Sequence, residues 1–499
     1  MTEGLTEKQI EREGFRLLAY QGNHEKFFQM AQGFKAQDPS RELTSELLEL
    51  NGHLIKCDFV AVEAKTETIK TKYRNHERFE FIFQFPAVCL AHMRFVRGQL
   101  TEALNIIDDY FNHPDFFKVD DLDPVDHLAL LRLKAQILLV RHQSDEMDEI
   151  LELACKINPP MDSVIANYVI NCITAINLYS KGHLYRALES AEKAIEIARQ
   201  SGFSGIFGPT DVRLIQLMCN LEMFQRRSFL ENKEVLTELD ELTWNKSFQF
   251  LFKQALVIDL TIDRRYREAL ETIQNMRENL NSFAYKSDLE PLISTAELYV
   301  RVQLNDKDRL NYLKSRHDDN LDFFGVYSFI EGANQKVIPH PLSLNNHNTL
   351  RRGLLENMAM AASNIDRSTV CYEYLQNSLE YSSESGIKLP FFQNEQLMFK
   401  IIEGSGLTKN GYWESLANDI SRLIQNREVV STESPYEPLT KKEMEILRFL
   451  ATGVSIKSIA MMSHISMNTL KTHLKSIYRK LDSNGRDEAL RTAREFHLI

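Results

Sequence analysis

Between Met467 and Leu481 the residues Asn468, Lys471, Thr472, Lys475 and Arg479 recur at i, i+3, i+4, i+7 and i+11. That spacing places them on one face of an α-helix. On the other side Leu470, Leu474, Ile477, Tyr478 and Leu481 form an apolar stripe. A helix with a greasy back and a front of amide, hydroxyl and cationic groups is equipped for the major groove of duplex DNA. The groove admits one helix, its base edges exchange hydrogen bonds with Asn, Lys and Thr, and cations at the phosphates release condensed counterions. A solvated surface helix would show the same face, so the surrounding elements must decide.

Those elements form an ordered set. In LTKKEMEILRFLATG, Thr440 and Glu443 make a capping box at a helix start. Met444, Leu447, Leu450 and Ala451 line one face, and Gly453 supplies the left-handed residue that stops the helix. Ser455 caps a short second helix, IKSIAMMS, with Ile459 and Ala460 inward. A tight turn at His464-Ile465 follows, and Ser466 caps the cationic third helix. Asn484 is placed to cap a fourth helix, RDEALRTAREFHLI, whose apolar positions are Ala489, Leu490, Ala493 and Leu498.

The stretch LTKKEMEILRFLATGVSIKSIAMMSHISMNTLKTHLKSIYRKL, with Arg486 and Ala489 beyond it, resembles the LuxR-type (GerE-like) helix-turn-helix domain over about 60 residues. The resemblance implies that the second and third helices form the helix-turn-helix and that the third enters the major groove. It implies Ser455, Lys457, Thr469, Lys471, His473 and Lys480 at phosphates or groove edges, and Met467, Asn468, Thr472 and Lys475 facing bases. It further implies a homodimer on a two-fold site, paired through the fourth helix at Ala489, Leu490, Ala493 and Leu498, and a transcriptional regulator that works with RNA polymerase. The sequence departs from the family at Ser463, where an apolar residue is usual, at Ser476 in place of a common Asn, and at Leu470 in place of a common Val.

Charge agrees with a DNA reader on a separate body. The chain of 499 residues carries a net −11. Residues 437–499 hold 11 Lys and Arg against 7 Asp and Glu, a net of +4, which leaves −15 on the other 436. A basic tail on an acidic body suits a nucleic-acid module joined to a sensing or docking domain.

That body, residues 1–425, reads as helix after helix. IANYVINCITAINLYS is followed by a turn at Lys181-Gly182-His183 and then by LYRALESAEKAIEIARQ, ending near Gly202. The second of these carries Leu184, Ala187, Leu188, Ala191, Ile195 and Ala198 at three- and four-residue spacing. A turn followed by Ala-Leu recurs at Ala103-Leu104, Ala187-Leu188 and Ala269-Leu270, intervals of 84 and 82 residues, each about twice 41. Weaker turns fall near Gly22-Asn23, Gln143-Ser144, Gln225-Arg226 and Asn305-Asp306. A period near 40 built of two helices predicts an all-α fold, an α-solenoid of hairpins in front of the four-helix tail. It resembles the tetratricopeptide-like repeats of MalT-like regulators, without their tryptophan and proline markers. RFEFIFQF alternates Phe79, Phe81, Phe83 and Phe85 like a strand, but a lone strand lacks a partner, so a buried helix end before Pro86 is expected. Residues 316–348 read as a long loop and 426–436 as the linker to the domain at 437–499.

Other classes find little support. No GxxxxGK[ST] phosphate cradle, HExxH, GxSxG or calcium-loop pattern is present, and Asp120, Asp121 and Asp123 lack the later glycine and glutamate of a calcium site. No alternating strand-and-helix phosphoacceptor region is legible. Neither enzyme activity nor a cofactor nor a metal is expected, and His24, His53 and His92 read as ordinary core or surface residues. The six cysteines are scattered without a CxxC pair, as for buried thiols in a reducing cytoplasm. No apolar run approaches the roughly 20 residues of a membrane span, and the first residues do not resemble a secretory signal. The reading is a cytoplasmic DNA-binding regulator with a protein or small-molecule effector on the solenoid. Its rival is a solenoid scaffold whose tail, similar to the fourth region of a sigma factor, contacts protein or RNA polymerase.

Overall fold

The computed structural model describes residues 7–37, 42–76, 79–112, 124–157, 163–238, 245–281, 288–304, 306–314, 350–393, 398–402, 411–430, 439–481, 483–495 and 498. The acidic run at Asp120, Asp121 and Asp123 and the expected loop at 316–348 lie outside the described residues. Among those described there are twenty-four α-helices, one short 3-10 turn at Gly205–Phe207 and no strand.

Sixteen helices come first. They are α1 (Glu7–Tyr20), α2 (His24–Gln37), α3 (Glu42–Ile55), α4 (Phe59–Tyr73), α5 (Phe79–Val96), α6 (Leu100–Phe111), α7 (Pro124–Val140) and α8 (Met147–Lys156). Then follow α9 (Val164–Ser180), α10 (Leu184–Ser201), α11 (Thr210–Glu222), α12 (Arg226–Thr237), α13 (Lys246–Ile262), α14 (Tyr266–Asn281), α15 (Glu290–Gln303) and α16 (Lys307–Lys314). Each even-numbered helix packs on the odd-numbered one before it, and the odd-numbered helices pack on one another in succession from α1 to α15. The sequence obeys this arrangement. Flanked by neighbours on several sides, α9 and α11 are buried over most of their surface, eleven of seventeen residues in α9 and eleven of thirteen in α11. In the outer row α10 buries one stripe, Leu184, Ala187, Ala191, Ala194 and Ala198, and leaves the rest half-buried or exposed. Ala194 belongs to that stripe, while Leu188 and Ile195 are only half-buried.

The hairpin turns share one local design. A residue with positive φ follows the first helix at Gly22, Cys57, Gly98, His142, Gly182, Phe224 and Arg264. After each, the next amide bonds back five residues, as Gln99 to the Arg94 carbonyl at 2.8 Å and His183 to that of Leu178 at 2.9 Å. This left-handed stop satisfies carbonyls left over at the helix end. After a first interval of 35 residues the positions recur every 40–44, so the period legible in the sequence is the period of these turns. Gly182 is doubly constrained. Its φ is +85°, and a Cβ there would stand 3.0 Å from the backbone nitrogen of Arg351.

A buried charge network fixes the middle hairpins. Arg132 on α7 reaches both oxygens of Asp211 on α11 at 2.9 and 2.7 Å, the carbonyls of Phe207 and Gly208 at 3.1 and 2.7 Å, and the Tyr168 hydroxyl at 3.0 Å. Gln136 donates to the same carboxylate at 2.7 Å. The inner row also curls back on itself, since α13 packs on α5 and α7. At that meeting Asp288 accepts from the Thr101 hydroxyl at 2.6 Å and from Arg141 at 3.1 Å.

Beyond these lie α17 (Leu350–Ser363), α18 (Ser368–Ser385), α19 (Leu389–Gln393) and α20 (Gly411–Val430). The α17/α18 hairpin attaches to the array near its centre. Leu350 donates its amide to the Lys181 carbonyl at 3.1 Å, Lys388 to that of Glu222 at 2.8 Å, and Arg351 pairs with the Glu222 carboxylate. Between them is a cavity of about 60 Å³ lined by Tyr179, Glu222, Gln254, Thr295, Arg351 and Leu389, among others.

Two expectations are corrected. The segment RFEFIFQF does not end a helix before Pro86: α5 runs through the proline to Val96, forgoing one backbone bond while Cys89, Met93 and Val96 anchor it in the core. Residues 426–430 belong to the end of α20 rather than to a linker. Cys89, Cys172, Cys219 and Cys371 are buried thiols as expected, but Cys155 is exposed. Burial pushes the His92 imidazole down to about 4, which keeps it a neutral core residue. No helix among the described residues is long and apolar enough to cross a membrane.

Candidate nucleic-acid interface

Four helices make the tail: α21 (Lys441–Ala451), α22 (Ile456–Met462), α23 (Met467–Lys480) and α24 (Arg486–Glu495). The capping box is formed in both directions: the Thr440 hydroxyl accepts from the Glu443 amide at 3.3 Å, and the Glu443 carboxylate accepts from the Thr440 amide at 2.7 Å. Gly453 ends the first helix region with φ +81°. The Ser455 and Ser466 hydroxyls accept from the amides of Ser458 and Thr469 at 3.2 and 3.1 Å. Between α22 and α23 the chain turns through His464, φ +52°, with the Ile465 amide on the Ala460 carbonyl at 3.0 Å. The hairpins of the body use the same stop, here setting the angle between the two helices of the motif.

The core locks the orientation of α23. Leu470 and Ile477 are fully buried and Leu474 nearly so, against Ile446, Leu447, Leu450, Ile459 and Ala460; α21 packs on the other three helices, and α23 also on α22 and α24. With that stripe turned inward, Met467, Asn468, Thr469, Lys471, Thr472, Lys475 and Arg479 are exposed, and His473 is half-buried. Ser455 and Lys457 are exposed at the start of α22. Among the described residues, none of Lys457, Lys471 and Lys475 takes part in an ion pair. A row of cations held outward with no partner of its own is what a polyanion would engage.

Three of the expected roles do not fit the geometry. Lys480 does not face outward: its ammonium lies 2.8 Å from Glu443 Oε2, with side chains only 8% and 5% exposed. It spends its charge tying the end of α23 to the start of α21, leaving none for a phosphate. Burial alone would push the Glu443 carboxyl up, yet hydrogen bonds from Lys480, Ser476 and Thr440 hold it at about 2. The dimer positions Ala489, Ala493 and Leu498 are 0–6% exposed within the protomer's own core, so their surface is already used; only Leu490 is half-buried. The outward residues of α24 include Asp487, Arg491 and Arg494. Asn484 does not cap α24 either, since the Ala489 amide bonds to the Gly485 carbonyl at 2.9 Å, and Asn484 donates to Glu488 at 2.8 Å.

Sequence spacing could not reveal several supports. Arg486 donates to the carbonyls of Leu450 and Val454 at 2.7 and 3.2 Å, which satisfies the end of α21 from 32 or more residues away. Lys442 crosses to the Ser463 carbonyl at 2.9 Å. The Ser463 side chain, the polar departure at an otherwise apolar position, is 3% exposed and its hydroxyl finds no partner among the described residues.

Comparison with known proteins agrees with this geometry. Residues 437–493 match the family model described as GerE, bacterial regulatory proteins of the luxR family. Over 64 residues, 13% of this chain, the sequence is 45% identical to the response regulator protein VraR of Staphylococcus aureus, of Staphylococcus saprophyticus and of Staphylococcus epidermidis. The match spans 31% of the length of those relatives.

Proposed function

We propose that this chain is a DNA-binding transcriptional regulator. In this reading α23 enters the major groove under the control of the helical body. The observation that carries it is the rigid presentation of Asn468, Lys471, Thr472 and Lys475 on a helix whose back is sealed in the domain core. Asn468, Thr472, Lys475 and Met467 face bases. Lys457, Lys471, Ser455, Thr469 and the half-buried His473 serve the phosphates and groove edge. Lys480 acts from within, as a brace. The protein works as a dimer because one such module reads too few bases to be selective. Its contact between protomers uses the outward side of α24 near Arg491 and Arg494, rather than Ala489, Ala493 and Leu498.

The body is read as an α-solenoid of eight hairpins that senses or docks, in the cytoplasm, and passes its state to the tail and to RNA polymerase. The succession of odd-numbered helices and the repeated turn support that arrangement. The similarity to response regulators is confined to the tail, and no strand occurs among the described residues. Control therefore does not copy a strand-and-helix receiver domain. The cavity beside Glu222 and Arg351 is the place where a small effector would be felt by both the array and the α17/α18 hairpin.

The test is a mobility shift on duplexes recovered by sequencing fragments bound to the purified protein. Lys471→Glu with Lys475→Glu, which disturbs no ion pair among the described residues, should abolish binding and leave helical content unchanged. Retained binding would refute the groove assignment. A tail that binds protein instead would show no steep loss of DNA affinity with salt.

A further inference from the structure

Among the described residues of the tail the large apolar side chains are buried or half-buried, except for four that are exposed. Ile456, Met461, Met462 and Met467 are 40%, 69%, 42% and 40% exposed. They fall within twelve residues of sequence, on the two helices that flank the His464 turn, beside Lys457, Asn468 and Lys471. Apolar groups on a cationic face gain nothing from phosphates. In the major groove the apolar feature a duplex offers is the thymine 5-methyl group. Met467 is the first residue of α23, and helix-turn-helix proteins bring the N-terminal residues of this helix to the base edges. Its neighbour Asn468 has the amide that reads adenine at N6 and N7, and adenine's paired thymine sets its methyl in the same groove. Thr472 adds to the pattern. Its hydroxyl donates its proton to the Asn468 carbonyl at 3.1 Å, which leaves the methyl and an accepting oxygen for a partner. An unbranched thioether also adapts to an imperfectly shaped contact.

We infer that Met467 selects a thymine in each half-site by packing its thioether on the 5-methyl group, next to an adenine read by Asn468. The inference rests on the DNA reading above and adds base content to it. The test uses the full chain and a bound duplex in which each thymine in turn is replaced by deoxyuridine, a change that removes only the methyl. For the wild-type protein one thymine per half-site should weaken binding about fourfold on replacement, the worth of one apolar carbon. Met467→Ala should bind the unmodified duplex weaker by a similar factor and lose nothing further at that uridine. Met467→Leu should recover the sensitivity. If both wild type and Met467→Ala bind the duplex and respond alike to uridine at every position, the inference is overturned while the DNA reading stands. If the wild-type protein binds no duplex at all, the DNA reading falls and this inference with it.

Discussion

Lys480 gives the sharpest contrast between what the family resemblance implies and what the fold does with the residue. Replacing it with Gln leaves the Glu443 carboxylate, 5% exposed, without the ammonium now 2.8 Å away. Removing one arm of a buried pair costs roughly 3–5 kcal/mol. A domain of roughly 60 residues has only about 3–9 kcal/mol of stability in total. Each kcal/mol moves the melting temperature of such a domain by about 4–8 °C. The melting of the tail, followed by calorimetry on the full chain, should therefore fall by about 12 °C or more. Replacing both partners, Glu443→Gln with Lys480→Gln, removes the stranded charge and should restore most of that loss. The folded double variant then isolates the binding role. A lysine at a phosphate contributes about 0.9 to the slope of log affinity against log salt. The double variant should keep the wild-type slope, whereas Lys471→Gln should lower it by about that amount. An unchanged melting temperature for Lys480→Gln, together with a reduced slope for the double variant, would refute the internal-brace argument.

Two further outcomes follow from the same domain. Ser463→Ala removes a buried hydroxyl that has no partner among the described residues and should stabilise the tail by about 1 kcal/mol, a rise of several degrees in its melting temperature; a fall would mean that the hydroxyl is satisfied in solution. Glu443, held at about 2 against an ordinary 4.5, has a depressed pKa in the folded state. Its contribution is present above pH 4.5 and lost as pH falls from there toward 2. Acid titration of the tail should show that loss in the wild type, and Glu443→Gln should lack it.

The sequence disclosed what is local. The capping box at Thr440 and Glu443, the glycine stop at Gly453, the hydroxyl caps at Ser455 and Ser466 and the outward row from Asn468 to Arg479 depend on spacings of a few residues. The structure forms each of them. The body's period was legible for the same reason, because the turn after each first helix leaves a mark at a fixed place. What stayed hidden depends on distant partners. Lys480 and Glu443 are 37 residues apart, and Arg486 and Leu450 are 36 apart; no helical periodicity links them. The fourth helix shows the same limit. Its apolar positions are legible in the sequence, but spacing does not say whether such a face is used inside the protomer or kept for a second copy. At Pro86 the local rule gave the wrong boundary, because a long apolar helix anchored beyond the proline outweighs one missing backbone bond.

The contact of α13 with α5 and α7, sealed where Asp288 meets Thr101 and Arg141, changes how the body can respond. In an open string of hairpins each unit leans only on its immediate neighbours, so it frays from its ends and a disturbance fades along its length. Here distant hairpins are clasped together, as a bracelet is, and loosening one link relaxes units a hundred residues or more away in the chain.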